Sequence, residues 1–268
     1  MKKRYKLGII GCGFMATTII RGAVESDFLR GKKIIVSDIL EEQLDKVDYL
    51  GVTTTNSNLY VAQNSEFVLL AVKYSDFPTV INSIKKASPD KIISVIPDIK
   101  KSEIKNSLGI GLIKVARCVP NLPCTIGEGA IGIDMSDYNR SPDDTEFLSK
   151  LFSNIGTLIS VDENKLGAVS AIGGCGPTYA FSFLDGLISA GVKLGLTKSE
   201  SQTLAAQTLY GCAEMVLNGD KKVEELLIQS CPAGSKNLQV IKTLEEKKFR
   251  ETICETVETV KLKAGDEE

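Results

Sequence analysis

The six residues Gly11-Cys12-Gly13-Phe14-Met15-Ala16 stand between an apolar run, Tyr5 to Ile10, and an amphipathic run, Thr17 to Ser26. Two glycines and a small residue at this spacing, between a strand and a helix, suit close approach to a pyrophosphate. Gly11 permits the tight turn. Gly13 has no side chain to hold the backbone away from the phosphates. Ala16 lets the helix lie close to the strand. The helix start at Phe14 and Met15 offers unpaired N–H groups and a positive dipole end to an anion. A second apolar run, Ile34-Ile35-Val36, closes in Ser37-Asp38, roughly where a dinucleotide fold carries a carboxylate for a ribose hydroxyl. The alternative is an ordinary glycine turn, with Asp38 capping a following helix.

The run after the second strand, Ser37-Asp38-Ile39-Leu40-Glu41-Glu42, holds three carboxylates and no lysine or arginine. A 2′-phosphate would meet repulsion there, whereas a free 2′-hydroxyl would find an acceptor in Asp38. The cofactor expected is NAD or NADP, with NADH preferred.

Composition removes much other chemistry. The 268 residues include no histidine, which excludes Ser-His and Cys-His pairs, histidine metal ligands and a histidine base. The seven cysteines, Cys12, Cys118, Cys124, Cys175, Cys212, Cys231 and Cys254, form no C-x-x-C pair. Neither a zinc site nor a disulfide framework is expected, and a reduced cytoplasm fits. Net charge is −2 without a basic block, so nucleic-acid binding is disfavoured. No signal peptide or membrane span is read.

Behind Asp38 the pattern alternates. Glu41 to Tyr49 reads as a helix and Phe67 to Val72 as a strand buried on both faces. Asp76 to Ala87 is helical, Lys91 to Ile96 and Ile113 to Val119 are strands, as are Ala130 to Asp134 and Thr157 to Val161, with a helix over Asp143 to Ser153 between the last two. This is an α/β arrangement of doubly wound, Rossmann type. Strand signals stop near Asp162. A dinucleotide-binding domain is expected over 1–162 and an all-helical domain over 163–268. Its helices are Lys165 to Leu194, interrupted by glycines and Pro177, then Ser199 to Asn218, Val223 to Gln229, Ser235 to Lys247 and Arg250 to Lys263. Ala171, Ile172, Ala180, Phe181, Phe183, Leu184, Leu187 and Ile188 cover more than one helix face, so a partner subunit is expected to bury the surplus. The domain is read as a dimerisation domain.

Several further segments carry a family likeness: Leu70-Ala71-Val72-Lys73, Arg117-Cys118-Val119-Pro120-Asn121-Leu122-Pro123, Gly127-Glu128-Gly129, Gly174-Cys175-Gly176-Pro177-Thr178-Tyr179, Ala190-Gly191-Val192-Lys193-Leu194-Gly195-Leu196 and Cys231-Pro232-Ala233-Gly234-Ser235. With the first glycine motif they make the chain resemble the pyrroline-5-carboxylate reductase family over essentially its whole length. The resemblance implies a Rossmann domain, a helical dimerisation domain and NAD(P)H-dependent reduction of the C=N bond of 1-pyrroline-5-carboxylate to L-proline. It adds Asn58 near the adenosine ribose, with a helix cap as the alternative, and Ala71, Val72 and Lys73 beside the cofactor. Gly176 and Pro177 fall in its substrate segment.

The substrate half departs from the family pattern. Gly173 and Cys175 replace two serines, Leu122 replaces a threonine, Tyr74 a proline, and Lys236 a threonine that faces the substrate. The N–H groups of Gly234, Ser235 and Lys236 are candidate receptors for a substrate carboxylate. Lys236, the one candidate catalytic residue, holds that carboxylate or supplies a proton. Ser235 as an N-cap and Lys236 as a solvated lysine are the alternatives. A related imine acid as substrate, or a non-catalytic nucleotide-binding paralogue with a regulatory role, are the rival functions.

Overall fold

In the computed structural model, which describes residues 3–109, 112–232 and 234–263, the unbroken apolar run through Phe67 to Leu70 lies in the middle of an eight-stranded sheet. Phe67 and Leu69 enter one hydrophobic core, Val68 and Leu70 the other, on the opposite face. A strand covered on both sides has no polar face, which is why it shows no alternation. Each of these buried side chains contributes roughly 1.5–3 kcal/mol.

The strands are β1 (Tyr5–Ile10), β2 (Ile34–Ser37), β3 (Thr53–Thr55), β4 (Ser65–Leu70), β5 (Lys91–Ser94), β6 (Lys114–Val119), β7 (Gly129–Asp134) and β8 (Gly156–Ser160), in the order β3-β2-β1-β4-β5-β6-β7-β8. β1 to β6 are parallel, while β7 runs antiparallel to β6 and β8 runs parallel to β7. Chain order reverses between β1 and β4, the switch point of a doubly wound sheet. The helices of this part are α1 (Phe14–Glu25), α2 (Glu41–Asp48), α3 (Asn58–Asn64), α4 (Phe77–Ile84), α5 (Lys101–Leu108), α6 (Pro142–Ser153) and α7 (Leu166–Val169). At Gly8 of β1 an added Cβ would fall 2.7 Å from Val61 of α3, so the glycine admits the helix onto the strand.

Three elements carry no sequence signal: β3, α3 and α5. β3 has three residues and no alternation. α3 is a seven-residue helix started by Ser57, whose hydroxyl accepts from the Tyr60 N–H at 3.2 Å. The reversal of β7 and β8 is equally silent, because strand direction depends on connections rather than on side-chain pattern. The helix expected over Lys165 to Leu194 is interrupted in the structure where its glycines and Pro177 fall. α7 is followed by a π-turn at Ser170–Gly174, in which the Cys175 N–H reaches back to Ser170 O at 2.9 Å, and then by α8 (Gly176–Lys193).

Contacts group residues 1–175 in one unit and 176–268 in a second. Residues 166–174, which the sequence places with the helical part, pack instead against β6 and β7. The second unit holds α8, α9 (Lys198–Asn218), α10 (Val223–Gln229), α11 (Asn237–Glu246) and α12 (Phe249–Lys263). α8 and α9 form a hairpin whose second helix starts on a capping box, Thr197 with Glu200. They approach closely at Gly191, where a Cβ would come within 3.0 Å of the Ser201 Cβ. α8 buries no residue in this chain, and Phe181, Leu187, Leu204, Tyr210 and Leu217 stand exposed. No helix among the described residues is long and apolar enough to cross a membrane.

A buried ion cluster ties α5 to the sheet. Lys101 Nζ lies 3.2 Å from Asp134 and 3.2 Å from Asp137 and donates to Ser136 Oγ at 2.6 Å. Burial pushes the Asp134 carboxyl up. Bonds from the Ser136 N–H and hydroxyl and from the Lys101 ammonium outweigh it and hold the carboxyl below the usual carboxylate range. The stability this confers is present above the unfolded value of about 3.9 and is lost as pH falls through the depressed folded value. Asp134→Ala removes one of the two carboxylates paired with the buried Lys101 ammonium and leaves Asp137 and Ser136 on it, so it should cost roughly 1.5–3 kcal/mol at pH 7, the worth of a charge-assisted bond. It should also flatten the loss of stability below about pH 4. Urea unfolding at fixed protein concentration across that range checks both.

Candidate active site

Gly11 sits at φ +90°, and its N–H donates to Ser37 O at 2.8 Å. A Cβ there would fall 2.6 Å from Ala71 O and 2.8 Å from Val72 Cγ1. β1, β2 and the exit of β4 thus meet at one residue that tolerates no side chain. Ala71 and Val72 are half-buried, and Ala71 N–H bonds to Ile10 O at 2.9 Å. Lys73 and Phe14 are exposed and Met15 is half-buried. Ala16 is 1% exposed, packed under the sheet as its size allows.

Gly13 is the N-cap of α1 and no side chain caps it. Nothing lies within 4 Å of where a Cβ would sit. The first N–H groups of α1 have no intrahelical acceptor, and no atom crowds the side of Gly13 where a Cβ would stand. This cradle suits a pyrophosphate: free donors, the positive end of a dipole, and no side chain in the way.

Asp38 is half-buried and already engaged. One carboxylate oxygen accepts from Cys12 N–H at 2.7 Å and the other from Leu40 N–H at 2.9 Å. It locks the glycine loop to the end of β2 and also sets the entry to α2. Each oxygen keeps a free lone pair for a hydroxyl donor. Beside it opens a cleft of about 360 Å³, lined by Asp38, Glu41, Asp45 and Asp48 with Thr54, Thr55 and Asn56 among others, and by no lysine or arginine. Thr54, Thr55 and Asn56 went unnoticed in the sequence, because the short β3 gives no signal.

Asn58 does not cap α3; Ser57 does. The Asn58 carboxamide instead accepts from Ser37 Oγ at 2.7 Å and donates to Ser83 Oγ at 3.2 Å, bridging β2 to α4. Burial pushes the Cys12 thiol up to about 11. It stays protonated and donates to Gln43 O at 3.3 Å, so it is no nucleophile. Gly11, Gly13, Phe14, Met15, Ala16, Asp38, Asn58, Ala71, Val72 and Lys73 all gather at the carboxyl ends of β1, β2 and β4.

The remaining candidates lie in the second unit. Gly176 and Pro177 open α8, where proline's missing N–H breaks no bond within α8 itself. Ser235 lies upstream of α11 and caps nothing. Its N–H is taken by Pro232 O at 3.0 Å and its hydroxyl is buried with no partner among the described residues. Lys236 is exposed, precedes α11 with no side-chain cap bond, and forms no ion pair with any described residue. The loop is closed at its base by Asn237 Nδ2, which donates to Ser230 O at 2.6 Å. Gly234 takes φ +78°. Ala233 lies outside the described residues. Among the described residues no group of three or more acidic, cysteine or histidine side chains is placed to hold a metal ion.

Residues 163–266 match the family model for pyrroline-5-carboxylate reductase dimerisation, and residues 6–97 that for NADP oxidoreductase, coenzyme F420-dependent. A pyrroline-5-carboxylate reductase from Methanosarcina acetivorans is 30% identical over 94% of this chain and 94% of its own length. The chain belongs to the pyrroline-5-carboxylate reductase family. Structures agree: the reductase from Coxiella burnetii superposes with a TM-score of 0.89 at 27% identity, covering 98% of both chains. The Plasmodium falciparum enzyme, solved with NADP bound, gives 0.86 at 26% identity over 98% of both. The start of the dimerisation match at 163 coincides with the end of strand signals. The contact grouping places the division after Cys175.

Two substitutions separate the turn from the cradle in this reductase-family site. Gly11→Ala combines a left-handed φ with a collision against Ala71 O, and should lower stability by roughly 1–3 kcal/mol. Gly13→Ala has ordinary φ (−73°) and empty surroundings. It should leave the melting temperature in place but weaken NADH binding about tenfold or more, since ~1.4 kcal/mol is a factor of ten. Differential scanning fluorimetry and NADH fluorescence titration distinguish the two.

Proposed function

We propose that the protein reduces 1-pyrroline-5-carboxylate to L-proline with a reduced nicotinamide dinucleotide. The near-full-length match to a reductase of that name carries the reading. The open cradle at Gly13 and the acceptor at Asp38 support it. When bound, the dinucleotide supplies the hydride to the imine carbon. The protein's share is to bind and orient. The chain has no histidine, and none is needed, because the iminium carries its own proton to nitrogen. Gly11, Gly13, Phe14 and Met15 take the pyrophosphate, and Asp38 the adenosine ribose. Ala71, Val72 and Lys73 line the carboxyl end of β4 beside the cofactor.

The acid-lined cleft beside Asp38 favours NADH. Four carboxylates would repel a 2′-phosphate, and no cation among the lining residues compensates. NADH should therefore exceed NADPH in kcat/KM by about tenfold or more, roughly the ~1.4 kcal/mol of one unfavourable charge contact. Equal or better efficiency with NADPH overturns this choice but not the reaction. The protein works as a homo-oligomer, at least a dimer. The dimerisation-domain match and the exposed apolar side chains of α8 and α9 support this.

In the substrate half, Gly176, Pro177, Gly234, Ser235 and Lys236 hold the imine acid, with the Lys236 ammonium on its carboxylate. A charge-assisted bond is worth roughly 1.5–3 kcal/mol. Lys236→Ala should thus lower kcat/KM for pyrroline-5-carboxylate about tenfold to a hundredfold with NADH affinity unchanged. Lys236→Thr should be tolerated if this imine is the native substrate, and should improve turnover of it if the lysine serves another imine acid. The function itself is tested by following NADH oxidation with pyrroline-5-carboxylate. No turnover at high enzyme concentration sinks it.

A further inference from the structure

The Asn121 carboxamide is 7% exposed and bonded at both its nitrogen and its oxygen. Nδ2 donates to Gly173 O at 2.9 Å, and Oδ1 accepts from Ala130 N–H at 3.0 Å. Ala130 is the second residue of β7, and Gly173 lies in the π-turn. Asn121 follows β6, where β6 and β7 diverge after their last pair, Val119 with Gly132. One side chain thus joins the end of β6, the start of β7 and the π-turn.

The Gly173 carbonyl has a reason to need that bond. In a continuing helix it would accept from the N–H four residues on, which belongs to Pro177. Proline has none. The carbonyl is orphaned by sequence, and an unpaired carbonyl in a half-buried turn is costly. A neutral amide donates from one atom and accepts at the other, a span that fits both partners here. Aspartate only accepts and lysine only donates.

The place matters as much as the bonds. β1, β4, β5 and β6 are parallel, so their carboxyl ends share one edge. With the adenosine end at β2 beside Asp38, a dinucleotide lying across the switch point puts its nicotinamide toward β4 to β6. The turn at Ser170–Gly174 borders that end. π-turns are frequent where function requires a helix to deviate.

We propose that Asn121 is a positioning residue: its carboxamide replaces the N–H that Pro177 lacks, and so holds the Gly173–Cys175 turn in place at the end of the sheet where the imine is reduced. The inference rests on the imine-reductase reading above. It assigns Asn121 no contact with substrate or cofactor.

The test is a double-mutant cycle in the full-length protein. Asn121→Asp keeps the shape and the acceptor to Ala130 but sets an oxygen against Gly173 O. It should lower kcat for the imine on the order of tenfold to a hundredfold, as sub-ångström to ångström misplacement does, with NADH dissociation constant within twofold of the parent. Pro177→Ala restores an N–H for Gly173 O, so Asn121→Ala should be at least threefold less damaging in that background than alone. An unchanged kcat in folded Asn121→Asp overturns the proposal. So does an equal loss of kcat and NADH affinity in both backgrounds, the signature of general unfolding. If Asn121→Asp does not fold, the Ala variants decide. Failure of both to fold would make Asn121 a residue of the fold alone and overturn its positioning role. An inactive parent would instead defeat the reductase reading, since NADH affinity and the fold would still be measurable.

Discussion

The backbone of Gly11 is the constraint on which the cofactor edge depends. Its positive φ turns the chain away from β1 at once. Its N–H binds the end of β2, and the bare Cα lets the Ala71 carbonyl at the exit of β4 approach to a distance that a Cβ would forbid. The next N–H, that of Cys12, is held by Asp38. Two adjacent backbone donors thus bind β2 to the glycine loop. With the loop held, α1 starts with no side-chain cap on its first N–H groups. That free helix start follows from the turn, not from any side chain built to hold an anion.

Asp38 shows how one residue serves two ends. Its bonds to Cys12 and Leu40 are structural, yet they leave lone pairs on the side of the acidic cleft. Removing it would disturb both the loop and whatever binds beside it. The same economy appears in Asn58, which bridges Ser37 to Ser83 at the carboxyl end of β2. Residues read from the sequence as ligands are struts in the structure, and being a strut does not exclude a ligand role. A rigid strut is what holds a ligand group at a fixed place.

In the helical unit the physical problem is the reverse. α8 is apolar over much of its surface, yet none of its residues is fully buried within its own chain. The hairpin with α9 is tight at Gly191 and Ser201 and open elsewhere. Apolar side chains such as Phe181, Leu204 and Leu217 are left to solvent in the single chain. Such a patch is costly alone and favourable once covered, which agrees with the dimerisation-domain match over 163–266.

The pattern of residues determined a good deal by itself. Glycine spacing and the apolar run of β4 define a dinucleotide-binding sheet, and the absence of histidine excludes histidine-based catalysis, because these depend on local sterics and on which side chains exist at all. The helices from α9 to α12 are legible for the same reason: period and caps are local. What only tertiary structure decided is where groups meet. The direction of β7 and β8, the three-residue β3 and the cleft it completes are set by neighbours distant in sequence. Ser57 rather than Asn58 caps α3. Asn121 reads as one polar residue in a motif until its amide is seen between Ala130 and Gly173. Pro177 removes a donor locally, but the donor that replaces it at the Gly173 carbonyl comes from a residue fifty-two positions before that glycine. Hydrogen-bond satisfaction is a demand the sequence states, and only the folded packing shows how it is met.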